Sequence, residues 1–107
     1  MVNKYYPKFS DEAEIDLFNT ILYIEQELCN IKASEDFTVE LSQKLNAICA
    51  FPNLGSKVDN KNIIDKELRK FSVGNYIVYY KIDKVSKTII IIRIIYGARS
   101  IDEMLKL

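Results

Sequence analysis

Five cationic side chains, Arg69, Lys70, Lys81, Arg93 and Arg99, fall within or just past three apolar, tyrosine-rich runs in the second half of the sequence. If these runs are adjacent strands, about 4.8 Å apart, their guanidinium and ammonium groups could converge on a patch one or two phosphates wide. Tyr76, Tyr79, Tyr80 and Tyr96 stand among them, offering rings that could stack on bases or anchor a peptide. The plainer alternative is solvent-facing charges beside core aromatics, and spacing alone favours it. Proton transfer is harder to supply. The sequence has no histidine, so the commonest neutral-pH general base and the commonest metal ligand are both missing. Acid–base work would fall to Glu67, to a carboxylate such as Asp83, or to a Tyr or Lys whose pKa cationic neighbours lower. Tyr96, between Arg93 and Arg99, is best placed for that role, and is equally the kind of tyrosine that closes a core. No Gly-rich phosphate loop, metal-ligand cluster or Ser or Cys triad is present, so no metal, cofactor or small-molecule substrate is expected.

Strands must position these residues. Residues 68–73 lead into Gly74-Asn75, a pair suited to a tight hairpin because Gly accepts a positive φ at the first central position. Residues 76–83 return, Lys84-Val85-Ser86 turns again, and residues 88–96 form the last strand. Strict alternation would put Ile90, Ile92 and Ile94 on one face and Ile89, Ile91, Arg93 and Ile95 on the other. A strand apolar on both faces is central and covered, here with Arg93 either on a partly open second face or tied down by a carboxylate.

Two amphipathic helices precede the strands. Ser10 caps the first, Asp11, Glu12 and Glu14 complement its dipole, and Ala13, Leu17, Ile21, Ile24 and Leu28 share one face. After a break at Asn30-Ile31-Lys32, Ser34 reads as the cap of a second helix presenting Phe37, Leu41, Leu45 and Ile48. Pro52 ends it near Ala50, and the short connection makes the pair an antiparallel hairpin. Residues 4–9 fit a strand in which Pro7 is tolerated only at an edge. Residues 53–66 read as a loop, and residues 100–107 as a short helix docking through Ile101, Met104 and Leu105. The expected fold class is α+β: an N-terminal edge strand, a helix hairpin on a mainly antiparallel sheet of about four strands, and a short C-terminal helix.

With 107 residues, 49% of them hydrophobic, the chain suits one domain over residues 1–107 with a single core. The 28% charged residues with only two Pro and three Gly exclude a disordered or collagen-like chain. The longest strongly apolar stretch, residues 88–96, is about half of the ~20 residues that a membrane-spanning helix needs. Residues 1–7 lack the continuous apolar region of a secretory signal, so a soluble, cytosolic protein is expected. Cys29 and Cys49 near the helix ends would lie roughly 20 Å apart, too far for a disulfide, and two reduced thiols are expected. Net charge is zero, yet residues 1–50 carry 4 Lys against 9 acids while residues 51–107 carry 11 Lys and Arg against 6. Such asymmetry can make one surface attractive to phosphates or to an acidic partner while the other repels them, and it is equally what chance gives in a short chain.

Several segments stand here in a definite order: Phe9-Ser10-Asp11-Glu12-Ala13, Phe51-Pro52-Asn53-Leu54-Gly55, Leu68-Arg69-Lys70-Phe71, Asn75-Tyr76-Ile77-Val78-Tyr79-Tyr80 and Arg93-Ile94-Ile95-Tyr96-Gly97-Ala98-Arg99. Together, over nearly the whole chain, they resemble the RelE/ParE superfamily of toxins from bacterial type II toxin–antitoxin pairs. The resemblance implies a growth-inhibiting toxin held inactive by a cognate antitoxin whose disordered C-terminal segment folds across it, a binding mode open to acidic, amphipathic segments. It also implies one of two targets. RelE-like members enter the ribosomal A site and cut mRNA, whereas ParE-like members inhibit DNA gyrase. The ribonuclease branch places a basic residue just after the aromatic matching Tyr76, and an aromatic or histidine acid/base near the C-terminus. Those positions are Ile77 and Leu105 here, both apolar. Arg93 and Arg99 match basic positions common in the superfamily, but an arginine stabilises charge and is no base at neutral pH. Zero net charge also fits RNA binding poorly. The expectation is thus a ParE-like toxin that binds gyrase. The alternative is a ribosome-dependent endoribonuclease using Arg69, Arg93, Tyr96 or Arg99, and a third reading is a module that retains antitoxin binding alone.

Overall fold

The computed structural model describes residues 5–59 and 67–98. A first strand, β1 (Tyr6–Phe9), leads into helix α1 (Asp11–Leu22), a π-helical turn (Tyr23–Glu27) and helix α2 (Ile31–Ala50). Next come a 3-10 turn (Pro52–Leu54) and four strands: β2 (Ser56–Lys57), β3 (Arg69–Val73), β4 (Tyr76–Asp83) and β5 (Thr88–Tyr96). The sheet order is β1-β5-β4-β3-β2, with β1 parallel to β5 and every other pair antiparallel. The expected α+β arrangement is therefore present, although β4 and not the last strand is the middle of the sheet, and β5 lies between β1 and β4. The sheet has one strand more than expected, because β2 is two residues long and carries no periodicity to read. The C-terminal helix expected over residues 100–107 lies outside the described residues.

Pro7 sits where its chemistry allows. Tyr6 N donates to Lys87 O and Ser10 N to Ile91 O, so alternation turns the Pro7 and Phe9 backbone toward the open side of β1. A proline there presents no N–H to a passing strand, which blunts the edge.

Ser10 caps α1 as expected, its Oγ accepting from Ala13 N at 3.0 Å. The buried stripe holds at Ala13 and Ile24 but fails at Leu28, which is 56% exposed. The π turn inserts an extra residue and rotates the residues beyond it off the apolar face. The cap of α2 also differs from expectation. Asn30, not Ser34, caps it, with Oδ1 accepting from Ala33 N at 3.0 Å. Starting one turn earlier buries Ser34 inside α2, where its hydroxyl meets Ile31 O at 2.8 Å and the Glu25 carboxylate at 3.1 Å, tying the hairpin together. Both residue types cap well. Cys29, in the left-handed region at φ 50°, turns the chain tightly enough for Asn30 to cap first.

Phe37, Leu41, Leu45 and Ile48 of α2 are buried against Val73, Val78, Tyr80, Ile89, Ile91 and Ile94 of the sheet. A smaller apolar group, Leu68, Tyr79 and Ile95, with Ile77 and Ile92 against it, occupies the other sheet face. The strict alternation expected for β5 is broken. Arg93 lies opposite Tyr79 but Ile91 opposite Tyr80, which makes Ile92 the extra residue of a β-bulge. As a result Ile94 joins Ile89 and Ile91 in the main core, while Ile92 falls with Ile95. Cys29 is exposed and Cys49 buried, and both thiols are free. No helix among the described residues is long and apolar enough to cross a membrane.

Candidate functional site

The bulge decides where Arg93 goes. β1 ends opposite Ile91, so beyond that point β5 has no strand on its outer side, and α1 takes the strand's place. Ser10 Oγ donates to Ile92 O at 2.9 Å, and the Asp16 carboxylate accepts from Ile94 N at 2.9 Å. The same carboxylate receives Arg93 Nε at 2.7 Å and Arg93 Nη2 at 3.1 Å. Arg93 is 20% exposed and Asp16 14%. The hydrogen bonds that Arg93 donates to Asp16 and the charges of Asp16 and Glu12 outweigh burial and push the guanidinium pKa further up. Arg93 thus wraps around the edge of β5 onto α1, the carboxylate-tied one of the two arrangements the sequence left open, and does not stand on an open sheet face.

Arg69 is also engaged. Its Nε and Nη2 donate to Gly55 O at 3.1 and 2.8 Å, and Nη2 donates to Asn53 O at 3.0 Å. Beside it the buried Tyr80 hydroxyl donates to Pro52 O at 2.6 Å and accepts from Gly55 N at 3.1 Å. This is how the Phe51-Pro52-Asn53-Leu54-Gly55 segment is fastened to the sheet. A Cβ on Gly55 would stand 2.5 Å from Tyr80 Oη and 2.7 Å from Lys70 O, so any other residue here forces the tyrosine or the backbone to shift.

Lys70 lies opposite Tyr79 and Lys81 opposite Ile90, both on the face away from the helices. Lys81 sits two residues along β4 from Tyr79, which makes the two lysines diagonal neighbours. Of the predicted cationic residues, these are the pair that the fold brings together. Ile77, on the same face, packs with the Leu68, Tyr79 and Ile95 group. Asp83 caps the β4–β5 turn, its carboxylate accepting from Val85 N and Ser86 N, and these bonds lower its pKa. Arg99 and Leu105 lie outside the described residues.

Tyr96 is 46% exposed and ends an aromatic row. Phe37 meets Tyr76 edge-on at 5.5 Å and Tyr76 meets Tyr96 edge-on at 5.6 Å. The row floors a groove of about 1060 Å³ between the helix hairpin and the end of β5. Its walls include Ile15, Tyr23 and Leu28 on the hairpin side, and Asp36 and Glu40 on α2. Glu40 has its pKa lowered by the Lys44 ammonium and the Gly74 N–H. Neither this groove nor the Asp16 partnership was read from the sequence. The available signal was Asp16 itself, an acid flanking the apolar stripe of α1 beside Ala13 and Leu17. Among the described residues no group of three or more acids, cysteines or histidines could hold a metal.

A family model described as the ParE toxin of the type II toxin–antitoxin system parDE matches residues 8–101. The chain belongs to this family. Its fold is similar to that of chains in several solved ParDE and RelBE toxin–antitoxin structures. A chain from the chromosomal ParDE system of P. aeruginosa is 13% identical with a TM-score of 0.67, covering 89% of this chain and 98% of that one. A chain of the RelBE2 toxin–antitoxin complex from Mycobacterium tuberculosis is 16% identical with a TM-score of 0.61, covering 87% and 98%. A chain of the archaeal RelE–RelB complex from Pyrococcus horikoshii OT3 is 18% identical with a TM-score of 0.55, covering 91% and 99%. No curated protein sequence matches. The ParE-family chain is accordingly a type II toxin, and the RelE/ParE resemblance read from its motifs is borne out, nearer the ParE branch.

Proposed function

We propose that this ParE-family toxin arrests growth by binding DNA gyrase and is neutralised by a cognate antitoxin. What supports the gyrase reading over mRNA cleavage is the engagement of the two described guanidinium groups offered for cleavage. Arg93 is held by Asp16 and Arg69 by the Asn53 and Gly55 carbonyls. A group that must neutralise a scissile phosphate has to face it with free donors. Ile77, an apolar residue packed in the sheet, stands where the ribonuclease branch carries a base. The antitoxin reading is supported by the structural neighbours from Mycobacterium tuberculosis and Pyrococcus horikoshii, which are toxin–antitoxin complexes.

Gyrase is an intracellular target, so the proposed site of action is the cytoplasm. The test is inducible expression with parallel assays. Growth arrest with lost plasmid supercoiling and intact mRNA supports the reading, whereas codon-positioned mRNA cuts with normal supercoiling would replace it by the ribonuclease alternative. Binding to the antitoxin without any growth arrest would leave only the antitoxin-binding module.

A further inference from the structure

The Phe51-Pro52-Asn53-Leu54-Gly55 turn is held more firmly than a surface connection needs. Tyr80 Oη donates to Pro52 O and accepts from Gly55 N, and Arg69 donates to Asn53 O and Gly55 O. Phe51 N donates to Ala47 O and Leu54 N to Phe51 O, both at 2.9 Å. Yet the two large apolar side chains of the turn point outward, Phe51 68% exposed and Leu54 63%. Neither belongs to the two apolar groups that pack the sheet. Buried hydrogen bonds therefore fix side chains that the core does not use. An aromatic ring on so rigid a backbone has little left to lose in ordering when a partner buries it.

Beside the turn lies a slot of about 220 Å³, walled by Ala47, Ile48, Leu54 and Phe71 together with Lys44 and Ser72. The Lys44 ammonium reaches Ser72 O at 2.6 Å and the Glu40 carboxylate at 2.8 Å, so its charge is already met. A cavity of ~150 Å³ is enough to hold a benzene ring, which leaves the slot room for a phenyl group. The slot shares no lining residue with the groove between the helix hairpin and the end of β5. Phe51 is hydrogen-bonded through its backbone to two of the slot's wall residues, Ala47 and Leu54, so knob and slot sit side by side on one surface. Such a surface is self-complementary: across a two-fold axis each copy offers its knob to the other's slot. With a net charge of zero, no net repulsion holds two copies apart.

We propose that the free toxin self-associates as a two-fold dimer, with Phe51 of each copy seated in the slot between Ala47, Leu54 and Phe71 of the other. The contact centres on two side chains per copy, small against the roughly 1,200 Å² at which stable interfaces begin. The dimer is therefore weak and exchanges with monomer. It does not depend on the gyrase reading, and it gives the Phe51 to Gly55 segment a second role besides fastening the chain to the sheet.

The test is sedimentation velocity on the full chain from about 1 µM to about 1 mM, which should show a concentration-dependent passage from monomer to dimer. Two variants attack the contact from opposite sides. Phe51→Ser removes the knob, whereas Ala47→Leu fills the slot while adding apolar surface. Each should weaken the dimer at least about tenfold, because a two-fold contact loses every altered residue twice. Val85→Ser, which removes the 96% exposed side chain of the β4–β5 turn, should leave the dimer unchanged. Circular dichroism checks folding, and Phe51→Ser, at an exposed position, decides the question should Ala47→Leu not fold. A wild-type chain that stays monomeric at the highest concentration would overturn the proposal. So would a dimer that survives Phe51→Ser or is strengthened by Ala47→Leu, the mark of general apolar adhesion. A dimer dissolved by Ile15→Ser/Phe18→Ser and not by Phe51→Ser would give the contact to α1 and overturn it equally. A monomer whose Phe51→Ser variant no longer binds the antitoxin, or no longer halts gyrase, would give the turn to that partner instead. The gyrase reading stands or falls separately, on wild-type supercoiling alone.

Discussion

Replacing Asp16 by alanine should destabilise the toxin by about 3 kcal/mol. Asp16 accepts Arg93 Nε, Arg93 Nη2 and Ile94 N at 2.7, 3.1 and 2.9 Å. Hydrogen bonds to charged groups are worth about 1.5 to 3 kcal/mol each, and truncation also strands the donors. The pair is not sealed, however, with 20% and 14% of the two side chains exposed. Water entering the groove would rehydrate part of what is lost, which holds the total near the ~3 kcal/mol lower end for broken buried pairs. In a domain of this size each kcal/mol shifts the melting temperature by roughly 4 to 8 °C, so the melting temperature read by circular dichroism should fall by about 12 °C or more. A double change to leucine at both positions should recover much of that, because it leaves no stranded charge. A loss below about 1 kcal/mol, or a double-mutant coupling energy below about 0.5 kcal/mol, would refute the claim that Asp16 is what fixes Arg93 and the bulge.

The Tyr80 and Gly55 fastening makes further demands. Gly55→Ala should destabilise by about 2 kcal/mol or fail to fold, since the new Cβ meets Tyr80 Oη and Lys70 O; an unchanged urea midpoint would contradict the close approach. Burial pushes the Tyr79 and Tyr80 hydroxyls up, so both are neutral in both states below about pH 10, the unfolded-chain value. Above it the unfolded chain loses its protons first and stability falls, by up to about 1.4 kcal/mol per pH unit for each tyrosine. Urea titrations of Tyr80→Phe should therefore show a shallower alkaline slope than wild type, and an equal slope would argue against the raised hydroxyl. Asn30→Ala should lose about 1 kcal/mol as a missing cap, which chemical denaturation reads directly; no loss would return the cap to Ser34.

Much of the fold was legible because it rests on period and punctuation. The spacing of Phe37, Leu41, Leu45 and Ile48, the stop at Pro52 and the hairpin glycine at Gly74, with φ at 57°, are local signals, and local geometry obeyed them. What was not legible depends on register and phase. One inserted residue at the π turn exposes Leu28, and one at Ile92 reassigns half of β5. Both are single-residue slips that a strict 3.6 or 2.0 period cannot foresee. The candidate site suffered most from this. Arg93 and Arg69 were visible as cations, but their partners, a carboxylate 77 residues away and carbonyls 14 and 16 residues away, are set by tertiary folding. The groove depends on β5 outrunning β1, and strand length relative to a neighbour is not a property of either segment alone.

The most direct measurement for the gyrase reading is a titration of purified toxin into a DNA gyrase supercoiling reaction on relaxed plasmid, with ribosome-bound mRNA incubated in parallel. The reading predicts that supercoiling stops near stoichiometric toxin while the mRNA stays whole. Unaltered supercoiling at stoichiometric excess, with cuts in the mRNA at codon positions, would contradict it.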